Sequence, residues 1–351
     1  MSKPITIHDT SRVCLVSDIH IGVHQNTNVW HKITLKWAKW LSKELKNNNV
    51  KDIIICGDLF HYRDEVAVNT IHIATQVLDI WKDFNIIILV GNHDAYYKDR
   101  SDINSLSILS GWPNINVIST VTDTIIDDKH LVFCPWGTSQ EDIAAGDIIF
   151  GHFEIESFKL NHFKICDEGF KSSDLLDKTR LVVSGHFHHR EEREYSTGTI
   201  LYLGNPFQMD FGDVDCTKGY YILDIPKAEY TFTENKLSPR HHKIKLSELL
   251  KSGKISKKIQ DHIKGNFIKF FVDQNVTSDD IDELLKTLTS LKPLSLNVDY
   301  TTNLSYNIDD SEYDFSSVDV STAIEEFISM MELDDSPDVV KYTLDLYERC
   351  K

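Results

Sequence analysis

Five short apolar runs in this chain are each followed at once by side chains that can bind a cation or move a proton. The residues after these runs are Asp18-Ile19-His20, Gly57-Asp58, Gly91-Asn92-His93-Asp94, Gly151-His152 and Gly185-His186-Phe187-His188. Any one of these motifs is weak, because a DxH or a GD pair is common by chance. Their repeated position, directly behind an apolar run, predicts a shared metal site.

The types of these side chains restrict the metal. Carboxylate, amide oxygen and imidazole donors occur together without a thiolate, which favours manganese or iron over zinc and magnesium. Seven donors are too many for one tetrahedral ion and suit two ions that share a ligand. Asp58 is the natural bridge, because a carboxylate has two oxygens. Such a pair of ions can activate one water for in-line displacement at phosphorus.

The runs that must position these groups are predicted to be buried strands. Strands are predicted at 12–17, 52–56 and 86–90, and apolar periodicity predicts helices between them at 29–47 and 66–84. This alternation is typical of a sheet with helices on its faces, where ligands bind at the carboxyl ends of the strands. Further short strands are predicted at 115–118, 124–126, 130–134, 147–150, 180–184, 199–203 and 219–225.

Length, composition and charge set the class of protein. The chain has 351 residues, a net charge of −17 and 41% hydrophobic residues, which predicts two domains or one large domain with an appendage. No run approaches the roughly 18–20 apolar residues of a membrane span, and we expect no secretory signal. Six scattered cysteines without CxxC spacing predict reduced thiols. We therefore expect a cytoplasmic protein that does not act on a membrane.

Charge is unevenly distributed along the chain and indicates its domain organisation. The predicted parts are a catalytic domain at 1–230, a small α+β domain at 231–306, an acidic linker at 307–319 and terminal helices at 320–351. Residues 236–264 contain nine basic and two acidic side chains, whereas 307–351 contain 13 acidic and three basic ones. The basic stretch is either a solvated surface or a strip that contacts phosphates.

The motifs, in this order, resemble the calcineurin-like metallophosphoesterases over about residues 12–225. The run Gly57-Asp58-Leu59-Phe60-His61 is similar to the GDLFH run of the SbcD-type nuclease subunit of DNA double-strand-break repair. Pro135-Trp136 and Lys218-Gly219-Tyr220-Tyr221 are also similar to that family. The acidic linker and terminal helices look most like the recombination endonuclease subunit of tailed phages. The resemblance implies an α/β (α+β) four-layer sandwich of two mixed sheets flanked by helices, with a small α+β capping domain and a C-terminal helical tail that binds a partner.

The resemblance also implies roles for individual residues. The implied ligands of two Mn²⁺ ions, with Mg²⁺ as an alternative, are Asp18, His20 and His188 for the first ion, Asn92, His152 and His186 for the second, and Asp58 as the bridge. His93 would stabilise charge or protonate the leaving oxygen beside the scissile phosphate. Asp94 would orient or charge His93, or else it caps a loop. His61 matches a second substrate-facing histidine, or else it is a surface histidine at a helix start.

The implied function is that of a Mn-dependent DNA nuclease subunit, with exonuclease or endonuclease activity, in a repair and recombination complex. The expected partners are double-stranded DNA ends, single strands and a SbcC-type coiled-coil ATPase. ATP is expected to be used only by that ATPase subunit. A second copy of this chain is expected to complete a homodimer. The candidate DNA contacts are Lys243, Lys245, Lys254, Lys257, Lys258 and Arg190.

Two other functions are possible on the same fold. A phosphatase or small-molecule phosphodiesterase would use the same ligands, but the run from Gly57 to Arg63 departs from the GDxxDRG run of serine/threonine protein phosphatases. A scaffold without activity would be expected to have lost ligands, and all seven are present. Steep salt dependence of DNA binding would distinguish a nuclease from both.

Overall fold

A computed structural model describes residues 5–8, 11–159, 164–251, 255–274, 278–300, 328, 339–344 and 347. The chain divides into two compact units, Met1–Thr301 and Thr302–Lys351. No helix within the described residues is long and apolar enough to cross a bilayer. In the second unit, residues 339–344 are helical. The predicted linker at 307–319 lies outside the described residues, as does most of the range 320–351 in which terminal helices are predicted.

The first sheet contains the strands that precede the first three motifs. Its six strands, in spatial order, are β12 (Glu229–Glu234), β11 (Gly219–Asp224), β1 (Arg12–Val16), β2 (Asp52–Ile55), β3 (Asn85–Leu89) and β4 (Ile115–Ile118). Strands β1 to β4 run parallel, whereas β11 and β12 are antiparallel to their neighbours. The runs 53–55 and 86–88 are buried on both faces, which is why their sequence is continuously apolar.

The second sheet contains the strands that precede the last two motifs. Its order is β5 (Thr122–Ile126), β6 (Lys129–Cys134), β7 (Ile148–Gly151), β8 (Leu181–Ser184), β10 (Gly198–Tyr202) and β9 (Glu191–Tyr195). Its central strands are parallel, and a hairpin forms each edge. Leu15, Ile54 and Leu89 share one apolar cluster with Phe133 and Phe150, so the two sheets face each other. The expected sandwich of two mixed sheets is confirmed.

Helices cover the outer face of the first sheet. They are α1 (Val23–Asn26, a single turn with left-handed backbone), α2 (Asn28–Asn47), α3 (Val68–Ile80) and a 3₁₀ helix (Ser105–Leu109). Trp37 and Leu41 on α2 lie one helical turn apart and pack with Val77 of α3 over Ile53 and Ile86 of the sheet. The outer face of the second sheet packs against the short helix α4 (Ser172–Leu176) and adjoining loops.

A smaller α+β part follows the first sheet. Its elements are β13 (His241–Lys245), α5 (Leu246–Lys251), α6 (Lys257–Ile263), β14 (Phe267–Val272), α7 (Ser278–Ser290) and β15 (Ser295–Tyr300). The three strands are parallel in the order β13-β14-β15, and Ile268 and Phe270 build its own core. Phe267 instead belongs to the core beneath α2, where its ring stacks on Trp30 at 5.0 Å between centroids. The boundary between 230 and 231 stays a prediction.

Candidate metal centre

The carboxyl ends of five strands from the two sheets meet at one place. Strands β1, β2 and β3 lead into Asp18, Asp58 and Asn92, while β7 and β8 lead into His152 and His186. The main-chain N–H of His186 lies 3.2 Å from both carboxylate oxygens of Asp18, which joins the end of the second sheet to the end of the first. The structure therefore brings together groups that the sequence analysis selected from distant segments.

The backbone at these strand ends is left-handed. The angle φ is 54° at Asp18, 50° at His20, 55° at Asp58 and 89° at His186. Residues other than glycine adopt such angles rarely, and those that do are concentrated at functional sites. Gly57, with φ of 97°, is required for a further reason, because a Cβ atom there would lie 2.2 Å from Nδ1 of His152.

Asp18, His20 and His188 form one side of the centre. Nε2 of His20 lies 2.9 Å from Nε2 of His188 and 4.0 Å from Oδ1 of Asp18. The side chains of Asp18 and His20 are fully buried, so their donor atoms are shielded from bulk water. Donor atoms of all three residues lie within 4.8 Å of one another, which is the spacing of a cation site.

Asn92, His152 and His186 form the other side. Oδ1 of Asn92 lies 2.8 Å from Nε2 of His152 and 2.9 Å from Nδ1 of His186. Nδ1 of His152 lies 2.6 Å from the carbonyl oxygen of Cys56, which can only accept a hydrogen bond. Nδ1 therefore carries a hydrogen, and Nε2 is the ring atom that faces the centre, as in metal-binding histidines.

Asp58 lies between the two sides. Its Oδ2 is 3.6 Å from Nε2 of His20 and 3.4 Å from Nε2 of His152. When metal–donor distances are about 2.0–2.2 Å, neighbouring donors around one ion are roughly 3 Å apart. The spacings at Asp58 and across both sides of the centre therefore fit divalent cations. Imidazole, carboxylate and amide donors suit manganese or iron.

Burial and neighbouring charges perturb the pKa values of these groups. Burial raises the pKa of Asp18 to about 7. Burial also acts to raise the pKa of Asp58, but His152 and His20 outweigh it and hold the value below its usual range. Burial acts to lower the pKa of His152, but Asp58 outweighs it and raises the value to about 9. Burial lowers the pKa of His188 to about 4, which keeps that imidazole neutral and able to bind a cation.

Two further histidines border the centre. The main-chain N–H of His93 donates to Oδ1 of Asp58 at 2.8 Å, and its ring Nδ1–H donates to the carbonyl oxygen of His61 at 2.6 Å. Nε2 of His93 is therefore the ring atom left for a substrate. The ring of His61 stacks on that of His93 at 5.5 Å, and its Nδ1 lies 3.2 Å from Nδ1 of His20. Both rings are partly exposed, so a substrate can reach them.

Asp94 is buried and bonded to the backbone. Its carboxylate accepts the main-chain N–H groups of Leu59, Phe60 and Gly91 at 3.3, 3.0 and 3.1 Å. These bonds tie the loop after β2 to the loop after β3, which favours the loop-cap alternative. A role for Asp94 in orienting His93 stays a prediction.

Sequence reasoning did not select three residues that support the centre. Nε of Arg63 donates to the carbonyl oxygen of Asn92 at 2.9 Å. Nζ of Lys218 donates to the carbonyl oxygen of His188 at 2.7 Å and pairs with Oδ1 of Asp213 at 2.5 Å. Lys218 lies in the Lys-Gly-Tyr-Tyr run that carried part of the family resemblance, and that run was the signal that could have found it.

The candidate DNA contacts have different surroundings. Four of them are exposed on β13 and α6: Lys243, Lys245, Lys257 and Lys258. Lys254 lies outside the described residues. The guanidinium of Arg190 lies 4.4 Å from the ring centroid of Phe232 and donates to the hydroxyl of Tyr221 at 3.1 Å. These two contacts hold Arg190 against the first sheet.

The fold and this geometry define a phosphoesterase, and the family model for calcineurin-like phosphoesterases matches residues 11–190. The chain belongs to that family. It is similar to exonuclease subunit 1 of Enterobacteria phage T4, with 27% identity over 329 residues, which cover 91% of this chain and 92% of that protein. It is also similar to the SbcD component of the SbcCD nuclease of Staphylococcus epidermidis, with 25% identity over 61% of this chain and 66% of that protein. A solved archaeal phosphodiesterase aligns with a TM-score of 0.37 and 16% identity, covering 64% of this chain and 99% of that one.

Proposed function

We propose that this chain is a metal-dependent DNA nuclease, with exonuclease or endonuclease activity, and a subunit of a SbcC/SbcD-type repair and recombination complex. The observation that carries the proposal is the convergence of two sets of donors on Asp58, with two partly exposed histidines beside them. A centre of this kind suits displacement at phosphorus. The names of the relatives, a phage exonuclease subunit and a bacterial nuclease subunit, support DNA as the substrate.

Seven side chains would hold two Mn²⁺ ions: Asp18, His20 and His188 on one side, Asn92, His152 and His186 on the other, and Asp58 between them. Ions of this kind lower the pKa of a bound water and neutralise charge on a phosphoryl group. The chain itself orients the donors, since the carbonyl of Cys56 fixes the ring of His152 and the N–H of His93 fixes the carboxylate of Asp58. The mixture of carboxylate, amide and imidazole donors without a thiolate suits manganese, with Mg²⁺ as the alternative.

His93 would act on the leaving group. Its Nδ1–H is committed to the carbonyl of His61, so a proton for the departing sugar oxygen would come from Nε2. An imidazolium can supply that proton near neutral pH. His61, whose ring stacks on His93, would contact the substrate from the same side.

The basic stretch would supply contacts to phosphates that do not depend on DNA sequence. Its exposed lysines lie on β13 and α6, and we retain Lys254 and Arg190 as candidates. We further propose that residues 320–351 bind a SbcC-type ATPase, and that ATP is used only by that partner. Two copies of the chain would pair as a homodimer. DNA ends and single strands would be the substrates, in the cytoplasm of a bacterial host.

Digestion of end-labelled linear duplex DNA tests this proposal. With Mn²⁺, and with or without the ATPase partner and ATP, the chain should release labelled products, and EDTA should stop release. Asp58→Ala should abolish both cleavage and Mn²⁺ binding, because one oxygen of Asp58 serves both sides of the centre. The matched control is Asp79→Ala, which removes an exposed helical carboxylate and should change neither. Hydrolysis of phosphomonoesters without any DNA cleavage would contradict the proposal and support a phosphatase.

A further inference from the structure

A cavity of about 310 Å³ opens beside the metal centre and shares His152 with it. Its walls include the aromatic rings of Trp136 and Phe170 and the polar side chains of Gln140 and Glu154. Cavities of this size that combine apolar walls with a few polar groups are typical of sites for small ligands. Apart from His152, none of the residues that line this cavity has been given a role above.

Trp136 is fixed in place at the boundary between the cavity and the centre. Its indole N–H donates to the carbonyl oxygen of Lys98 at 2.7 Å, and its main-chain N–H donates to the carbonyl oxygen of Val90 at 2.8 Å. Its ring centroid lies 5.1 Å from that of His186 and 6.0 Å from that of His152. A half-buried aromatic ring is therefore held next to two of the candidate metal ligands.

A second part of the cavity wall is also held by the backbone. Gly169 has φ of 96°, and a Cβ atom there would lie 2.2 Å from the carbonyl oxygen of Glu154. The main-chain N–H of Phe170 donates to that same oxygen at 2.8 Å, and its ring packs edge-on against Phe153. A preformed wall lowers the entropy lost when a ligand binds.

We propose that this cavity binds one unpaired nucleobase of the DNA strand, next to the scissile phosphate, by stacking on Trp136. The inference rests on the proposed function and deepens it by naming the part of the substrate that the cavity recognises. Stacking on an aromatic side chain tolerates any sequence, because every base has a π face. Gln140 and Glu154 can bond to base edges. A base inside a duplex is stacked on its neighbours, so the cavity selects frayed ends and single strands.

Direct binding tests the inference without any cleavage step. Calorimetry with Mn²⁺ present should show 2′-deoxyadenosine 5′-monophosphate binding about 5-fold to 140-fold more tightly than 2-deoxyribose 5-phosphate, which lacks the base. Trp136→Leu should bring this ratio close to one, whereas Trp136→Phe, which keeps an aromatic face, should retain most of it. The matched control is Trp40→Leu, which changes another half-buried tryptophan, on α2, and should keep the full ratio.

The outcomes separate this inference from the proposed function. Equal binding of the two ligands by the wild-type chain would overturn the inference. So would an equal loss of affinity for both ligands in Trp136→Leu, since the indole would then merely support His186. If the chain cuts no DNA, yet the preference for the base is present and is lost in Trp136→Leu, the proposed function fails and the base site stands. Cleavage of a single-stranded oligonucleotide together with that preference supports both.

Discussion

A buried ion pair behind His188 provides a test whose magnitude follows from the structure. Nζ of Lys218 lies 2.5 Å from Oδ1 of Asp213, and the two side chains are 3% and 10% exposed. Oδ2 of Asp213 also accepts the main-chain N–H of Met209 at 2.8 Å. Removing one partner of a buried pair costs about 3–5 kcal/mol, because the other charge stays buried without compensation. We expect Lys218→Met to lower the free energy of unfolding by about that amount at pH 7.

The pH dependence of this loss follows from the pKa of Asp213. Burial acts to raise that pKa, but Lys218 outweighs it and holds the value below its usual range. A carboxyl group of this kind contributes its stability fully above its unfolded pKa of about 3.9 and loses it as the pH falls through the folded pKa. Because Lys218→Met lacks this contribution, the difference between variant and wild type should shrink as the pH falls below about 4.

Urea unfolding followed by tryptophan fluorescence measures both effects. Adding Asp213→Asn to Lys218→Met should recover part of the loss, since neither charge then remains. The control is Lys46→Met, which breaks an exposed pair with Asp83 whose side chains are 55% and 60% exposed, and which should leave unfolding nearly unchanged. A loss below about 1 kcal/mol in Lys218→Met at pH 7 would refute the reasoning.

Three further predictions concern the centre itself. His93→Asn should leave Mn²⁺ binding intact and reduce DNA cleavage by about 10²–10⁴-fold, because it removes a proton donor and no ligand; an equal loss of Mn²⁺ binding in calorimetry would contradict that role. Gly57→Ala should abolish Mn²⁺ binding measured by calorimetry, because its Cβ would lie 2.2 Å from Nδ1 of His152 and force that ring away. Normal Mn²⁺ binding by this variant would contradict the prediction. Mn²⁺ affinity should rise with pH between about 6 and 9, because Asp18 and His152 must lose protons when the ion binds. Burial raises the pKa of Asp18 to about 7, and Asp58 is the main cause that raises the pKa of His152 to about 9. Calorimetry in buffers of different ionisation enthalpy counts the protons released, and a release of none would contradict the assignment.

The apolar runs predicted the strands at the centre well. Strands β1, β2, β3, β7 and β8 lie within one residue of their predicted bounds. Each is buried over nearly its whole length, so its sequence is uniformly apolar and no surface requirement competes with that signal. Because the candidate ligands follow these strands directly, an accurate strand prediction also placed the candidate site.

Two edge strands were not predicted, and the division into two sheets was expected only from the resemblance to a family. Glu191–Tyr195 and Glu229–Glu234 contain charged residues and are only partly buried, and each forms because a neighbouring strand offers hydrogen-bond partners across a hairpin. The apolar runs that enter different sheets look alike in sequence, because pairing between distant segments decides which sheet a strand joins. Asp213 and Lys218 were missed for a similar reason, since their importance depends on the position of His188.

The stacking of Phe267 on Trp30 has a consequence for how the first unit melts. One residue of β14 supports the core beneath α2, while its neighbours Ile268 and Phe270 build the core of the small sheet. Heat or denaturant that loosens either cluster withdraws support from the other. We therefore expect residues 1–301 to unfold in one cooperative transition. The distance between the lysines of β13 and the metal centre should then stay fixed until the whole unit unfolds.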